Sequence, residues 1–202
     1  MRPRHVLLCA LMVSVPAFAQ ETQPPAGFHE HDGFFLSLSM GPAYASVDNK
    51  AGSTTLTYSG FGASFDFRIG GAIGQNLILT GDLMGWSLFE PEVSGHGSMS
   101  DSYFTQSTVG AGLTYYFMPV NVFVSGTVGF AGFSLDAGGR RASTDSGVGV
   151  YVKAGKDWWV SADWALGIAA SLGWSSVSNS SDSGSEKLSG YSVSLQFNAT
   201  YQ

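Results

Sequence analysis

The sequence predicts an all-β chain, a single eight-stranded antiparallel up-and-down transmembrane β-barrel over residues 33–202. Three observations lead there. Large apolar residues alternate with small polar ones in eight separate segments, the links between segments alternate between short and long, and the chain opens on an export signal.

The export signal comes first. Residues 1–19 read as a signal peptide, with Arg2 and Arg4 as its positive start, Val6–Val15 as its apolar stretch and Ala17-Phe18-Ala19 as a small-residue cleavage site. The apolar stretch is shorter than the roughly 20 residues that a membrane-spanning helix needs. Cleavage removes Arg2 and Arg4 and no acid, which takes the formal net charge from −6 to −8. That acidity argues against nucleic acid as a partner. Cys9, the only cysteine, leaves with the signal, so the mature chain has neither disulfide nor thiol chemistry. Residues 20–32 are polar, contain proline and show no periodicity, and are expected to form a flexible N-terminal lead.

From there the period is two, and no stretch carries an apolar repeat of 3.6 residues. The first strand is expected from Phe34 to Tyr44. In the second, Phe61, Ala63, Phe65, Phe67 and Ile69 alternate with Gly62, Ser64, Asp66, Arg68 and Gly70. The third runs from Leu77 to Leu88, the fourth from Tyr103 to Phe117, the fifth from Val122 to Leu135 and the sixth from Val148 to Ala154. In the seventh, Trp158 to Trp174, a face of Trp, Val, Leu and Ile opposes one carrying Ser161, Asp163, Gly167 and Ser171. The eighth places Tyr191, Val193, Leu195, Phe197, Ala199 and Tyr201 on one face and Gly190, Ser192, Ser194, Gln196, Asn198 and Thr200 on the other. Tight turns are expected near residues 74–76, 118–121 and 155–157. Longer links, rich in Gly, Ser, Asn and Asp, are expected at 46–58, 89–102, 136–146 and 176–187. Short and long links alternate as they do between the periplasmic and outer sides of an outer-membrane barrel.

The two faces decide which side meets lipid. Charged residues make up 12% of the chain, about half the usual share, and there are 27 glycines. A face of Gly, Ser, Ala and Thr fits the narrow inside of eight strands, whereas several Phe and Trp per strand do not. The large apolar face therefore points outward, where there is no water to penalise it. Phe34, Phe35, Tyr115 to Phe117, Trp158, Trp159 and Tyr201 are expected in a periplasmic aromatic belt, and Trp86, Phe89, Tyr103 and Trp174 in an outer one. Pro42 cannot donate to a ladder, so a bulge or a break in pairing is expected there.

The opening Asp32-Gly33-Phe34-Phe35-Leu36 and the closing Tyr191-x-Val193-x-Leu195-x-Phe197-x-Ala199-x-Tyr201 resemble the small outer-membrane β-barrel superfamily of OmpA-type and OmpX-type proteins. The resemblance covers the chain from about Asp32 to Tyr201, with one departure, since Gln202 follows the aromatic on which such chains usually end. It implies integral residence in the outer membrane of a Gram-negative bacterium, contact with outer-membrane lipid and lipopolysaccharide, and recognition of the last strand by the outer-membrane assembly machinery. It implies little about activity, because the superfamily includes adhesins, anchors and lipid-modifying enzymes.

Five ionisable residues fall on the inward face: Asp66, Arg68, Asp82, Lys153 and Asp163. Asp82 is expected opposite Asp66 or Arg68, and Lys153 near Asp163. Buried charges need partners, so these five are expected to form a salt-bridge plug. His96-Gly97-Ser98 contains a His-x-Ser pair of the kind that the lipid A deacylases of the superfamily use, but it lies in a glycine-rich loop without an evident third member. His29-Glu30-His31-Asp32 offers two imidazoles and carboxylates to a divalent metal, against the plainer reading of a polar linker. No catalytic, cofactor or metal site is expected. The resulting expectation is a non-enzymatic, plugged outer-membrane barrel that acts as a structural or surface-interaction protein through its outer loops, with a possible extracellular partner. Those loops carry Asp48, Glu90, Glu92, Asp101, Asp136, Asp145, Asp182 and Glu186, with Arg140-Arg141 as a basic pair. A lipid A deacylase-like enzyme of the outer leaflet, or a narrow ion or small-molecule channel, are the competing readings.

Overall fold

The computed structural model describes residues 31–181 and 184–202. The signal peptide and most of the N-terminal lead lie outside them. Eight long strands follow in chain order: β1 (Phe34–Ala51), β2 (Thr54–Gly74), β3 (Leu77–Phe89), β4 (Ser102–Phe117), β5 (Val122–Ala137), β6 (Gly147–Trp159), β7 (Trp164–Ser181) and β8 (Gly184–Tyr201). Each pairs antiparallel with its sequence neighbour, and β1 also pairs with β8, which closes the eight strands into a barrel. Closure gives each of the eight strands a hydrogen-bonded neighbour on both sides through the body of the barrel, as backbone placed in lipid requires.

Alternation sets the register. Outward positions include Phe61, Phe65, Phe67, Leu113, Val128, Leu172 and Phe197, all exposed. Their neighbours one residue away, among them Ser64, Asp66, Arg68, Thr114, Thr127, Ser171, Gln196 and Asn198, are buried inside. Phe34, Tyr115, Phe117 and Trp158 form an exposed aromatic belt at the periplasmic end, and Phe89, Tyr103 and Trp174 one toward the outer end. Four residues expected in these belts point into the barrel instead. Phe35, Trp86 and Tyr116 are buried, and Trp159 is half-buried with its ring 5.4 Å from that of His31, because each has the parity of its strand's inner face.

The strands run from 13 to 21 residues, beyond the 9–11 that a tilted strand needs to cross a bilayer. The surplus lies at the outer end, and it corrects the expected long loops. β1 and β2 remain paired up to Ala51↔Thr54, with only residues 52 and 53 between them. β7 and β8 remain paired up to Ser181↔Gly184. The link after β3 contains the short strands Glu92–Val93 and Gly97–Ser98, which pair with each other, and the first also pairs with β2 at Tyr58 and Ser59. In the link after β5, Arg140–Ser143 folds back onto the end of β5. Ser, Thr and Asn look loop-like by composition, yet above the bilayer they alternate in a ladder that needs no apolar face.

At the periplasmic end, the turns at 75–76 and 118–121 fall where the sequence places them, with Asn76 and Asn121 in the left-handed region. The third turn does not. β6 continues through Gly155-Lys156-Asp157 to Trp159, and the reversal occupies residues 160–163. It is closed by hydrogen bonds from the Val160 and Ser161 N–H groups to the Trp164 carbonyl. Asp163 therefore lies exposed in a turn rather than in the lumen. Gly41 and Pro42 have no partner on β8, whose register jumps from Met40↔Phe197 to Ala43↔Ser194, while pairing with β2 continues through Pro42↔Ala63. The missing proline N–H is thus confined to one seam.

Candidate functional site

The lumen is filled in three layers. The lowest, at the periplasmic mouth, contains Phe35, Ile78, Tyr116, Phe123 and Ala169 packed together. His31 lies within it, buried, its ring stacked on Tyr116 with centroids 3.6 Å apart. Its Nε2 lies 2.6 Å from Asn121 Oδ1, and its Nδ1 contacts the Gln202 side chain. The end of the lead is therefore tied into the barrel. Gln202, the residue after the terminal aromatic, belongs to the same closure, since its N–H donates to the Asp163 carbonyl at 3.0 Å. Asp157, which the sequence places in a turn, is buried just above. It accepts from Tyr116 Oη at 3.0 Å, Asn198 Nδ2 at 3.3 Å and Thr200 Oγ1 at 3.4 Å. Its parity, shared with Lys153, and the Trp158-Trp159 that prolongs the alternation were the available signals.

The middle layer holds the expected charges. Arg68 and Asp82 are register partners on β2 and β3, with Nε 3.4 Å from Oδ1. Arg68 also donates to Ser125 Oγ, and Thr127 donates to the other Asp82 oxygen. Lys153 reaches across the barrel to Asp66, not to Asp163, at 2.8 Å, and donates to Ser39 Oγ at 2.7 Å. Buried pairs of this kind offset their desolvation only as far as further hydrogen bonds complete them. Hydroxyl groups complete Arg68 Nη2, Asp82 Oδ2 and Lys153 Nζ, while Asp66 Oδ1 and Asp82 Oδ1 have no hydrogen-bond partner among the described residues. Glycine makes room for the layer. A Cβ on Gly112 would lie 2.1 Å from Asp82 Oδ2.

The upper layer is apolar, which the small-residue face did not suggest. Trp86, Leu88, Phe104 and Phe133 pack with Ala43, Ala45, Val47, Val177 and Leu188, with Tyr58 and Leu135 against them. Phe104 and Phe133 lie parallel within 4°, centroids 5.7 Å apart, and Tyr58 stacks on Phe104 at 5.1 Å. Phe104 shares parity with Gln106 and Thr108, and Phe133 with Thr127 and Ser125, so period two assigns them inward once their chemistry is set aside. Between this layer and the charges remains a hollow of about 10 Å³ beside Asp66 and Gln196, about the space of one water.

Above the aromatic floor the barrel opens outward as a cup of about 150 Å³. Its walls are Leu135, Leu188 and the hairpin residues Ala142, Ser143 and Thr144; Asn49, Asn179 and Glu186 stand at its rim. The hairpin is fastened there by two hydrogen bonds of 3.0 Å between Thr144 and the Phe133 backbone, and by the Asp145 N–H donating to Asn179 Oδ1 at 3.1 Å.

The remaining candidates are not brought together. His96 is exposed at the tip of the small Glu92–Ser98 hairpin, and its Nδ1 lies 3.1 Å from the Ser94 carbonyl. The glycine-rich segment thus has a fixed backbone, with Gly95 and Gly97 left-handed. His29 and Glu30 lie outside the described residues, and among the described residues no group of three His, Cys, Asp or Glu could hold a metal. Arg141 faces Asp136 across its hairpin and stays exposed.

No protein-family profile matches the chain, and no curated protein matches it by sequence. Solved structures do. Neisserial surface protein A aligns over 82% of this chain and 96% of its own, at 15% identity and a TM-score of 0.53. OprG of Pseudomonas aeruginosa, an outer membrane protein, aligns over 85% and 98%, at 13% identity and a TM-score of 0.49. At these identities the likeness concerns fold, and the first alignment carries it. By fold, the chain is a small eight-stranded β-barrel of the outer-membrane type.

Proposed function

We propose that this chain is a non-enzymatic outer-membrane protein with a plugged lumen, acting as a structural or surface-interaction protein through its outer rim. The observation that carries this reading is the filling of the barrel across its whole section. An ion would have to pass the Trp86–Phe104–Phe133 cluster, the paired Arg68, Asp82, Lys153 and Asp66, and the His31–Tyr116 stack in turn. That the Neisserial protein named above is a surface protein is in keeping with it. Outer-membrane lipid and lipopolysaccharide surround the apolar belt in this reading, and the outward Tyr191, Val193, Leu195, Phe197 and Tyr201 of β8 address the assembly machinery. The enzymatic reading requires His96 to meet a serine and an acid; its ring contacts a backbone carbonyl instead. The test is single-channel recording of the refolded barrel in planar bilayers. No stable conductance is expected, and a reproducible open channel would overturn the plugged reading. Outer-membrane fractionation, with faster gel migration unboiled than boiled, checks the location.

A further inference from the structure

At the outer end of the seam that closes the barrel, Lys50 on β1 and Lys187 on β8 are register partners. Both are exposed and point outward, since their neighbours Asn49 and Leu188 turn toward the lumen. Like charges directly opposite each other across a ladder destabilise it, because their Cβ atoms are only about 5 Å apart. Among the described residues neither lysine makes a salt bridge. Asp48, on the same face of β1, accepts from Thr57 Oγ1 at 2.7 Å and leaves the pair with an excess of positive charge. Glu186 turns toward the cup. The other described carboxylates of the outer end, Glu90, Glu92, Asp101, Asp136 and Asp145, lie around β3 to β6.

The height of the pair fixes what it meets. From Tyr191, which is exposed beside its partner Trp174 in the outer belt, β8 rises about 9 Å to Lys187 at a tilt of about 45°. On their flexible stems, the ammonium groups therefore reach the head-group layer above that belt. Hydroxyl groups flank them, Thr55 opposite Lys50 on β2 and Ser178 opposite Lys187 on β7. Lower on the same seam lies an apolar groove of about 420 Å³. Its walls are Leu38, Met40, Phe67, Leu166 and Phe197, all exposed, and Ala199 lies between its partners Leu38 and Leu166. The descent from Lys187 to Phe197 is about 23 Å, the depth of a head group and one leaflet. A free anion would use the lysines and ignore the groove, and an uncharged lipid would do the opposite. An amphiphile with a phosphate on its head uses both.

We propose that the outer face of the β1–β8 seam is a binding site for a phosphorylated glycolipid of the outer leaflet, its phosphate held between Lys50 and Lys187 and one acyl chain in the groove below. A phosphomonoester carries close to two negative charges and three strong acceptor oxygens. Both ammonium groups donate to it, and their mutual repulsion is relieved. The proposal deepens the surface-interaction reading and rests on it, because the lysines meet the outer leaflet only if this end of the barrel faces outward.

Two probes separate the contributions: bis-phosphorylated lipid A, and the same lipid A with both phosphates removed. Each is added to the full barrel in neutral detergent, and bound copies are counted by native mass spectrometry. The parent should retain the phosphorylated form about 30-fold better, each lysine contributing about fivefold. Lys50→Gln or Lys187→Gln should reduce that preference to about fivefold, and the double change should remove it. Ala199→Trp fills the groove and should weaken both forms alike while the preference stays. Faster unboiled gel migration shows that each variant is folded. Equal retention of the two forms overturns the proposal, as does a preference that survives the double lysine change, or binding indifferent to Ala199→Trp. Displacement of the phosphorylated form by millimolar inorganic phosphate also overturns it, since the pair would then be a site for a free anion. These results are independent of conductance: a silent barrel that ignores the phosphates loses the seam site and keeps the plug, whereas a conducting barrel that prefers phosphorylated lipid A keeps the site and loses the plug.

Discussion

Arg68 and Asp82 stand directly opposite each other on β2 and β3, and their side chains meet inside the barrel at 3.4 Å. Because both are buried, removing one partner leaves an uncompensated charge. Asp82→Ala should lower stability by about 3–5 kcal/mol, and Arg68→Met with Asp82→Leu should be milder than the single change. Urea unfolding of the detergent-refolded barrel, read by gel mobility, measures both; a single variant no worse than the double would contradict the pairing.

Room for that carboxylate is made by Gly112 on β4, since a Cβ there would lie 2.1 Å from Asp82 Oδ2 and 2.9 Å from Thr80 Oγ1. Gly112→Ala should therefore cost about 1–3 kcal/mol by overpacking. In an Asp82→Ala background the same change should cost markedly less, and a thermal melt of the four combinations shows it.

Asp157 is held by neutral donors: Tyr116 Oη, Asn198 Nδ2 and Thr200 Oγ1. Tyr116→Phe keeps the ring that stacks on His31 and removes one hydrogen bond to a carboxylate. A loss of about 2 kcal/mol is expected, with Asp157→Asn in the same background recovering part of it. If Tyr116→Phe is as stable as the parent, the hydrogen bond contributes nothing.

Phe197 is 67% exposed on the outer face of β8. Phe197→Arg should destabilise the barrel by about 2–4 kcal/mol if this position lies near the bilayer midplane, because the charge must enter lipid. Gln196, one residue away, points inward, so Gln196→Asn should leave insertion intact; equal refolding yields for Phe197→Arg and the parent would contradict the lipid-facing assignment.

What could be read from the sequence follows from what period two encodes. Alternation alone places Phe61, Phe67, Leu195 and Phe197 outside and Asp66, Arg68, Asp82 and Lys153 inside, and the structure keeps all eight there. Which inward charges meet depends on register around the whole ring. Lys153 finds Asp66 rather than Asp163, because their strands face each other across the lumen and Asp163 has left the ladder. The turn at 155–157 was misplaced because Gly-Lys-Asp satisfies turn chemistry as readily as it fills a strand. The apolar upper layer was hidden for a related reason. Trp86, Phe104 and Phe133 have inward parity, but aromatic character in a membrane strand argues for the lipid face. The outer cup was invisible, because it requires the hairpin at 140–143 to fold back over β5.

The continuation of β1–β2 and β7–β8 as paired ladders up to Ala51↔Thr54 and Ser181↔Gly184 has a consequence for recognition. At the outward end these two ladders also pair with each other, Lys50 with Lys187 and Ala51 with Glu186, so neighbouring surface residues come from distant parts of the chain and the epitopes are conformational. Antibodies raised against linear peptides from 46–58 or 176–187 would recognise the boiled protein on a blot and fail on intact cells, while antibodies selected on the folded barrel would do the reverse.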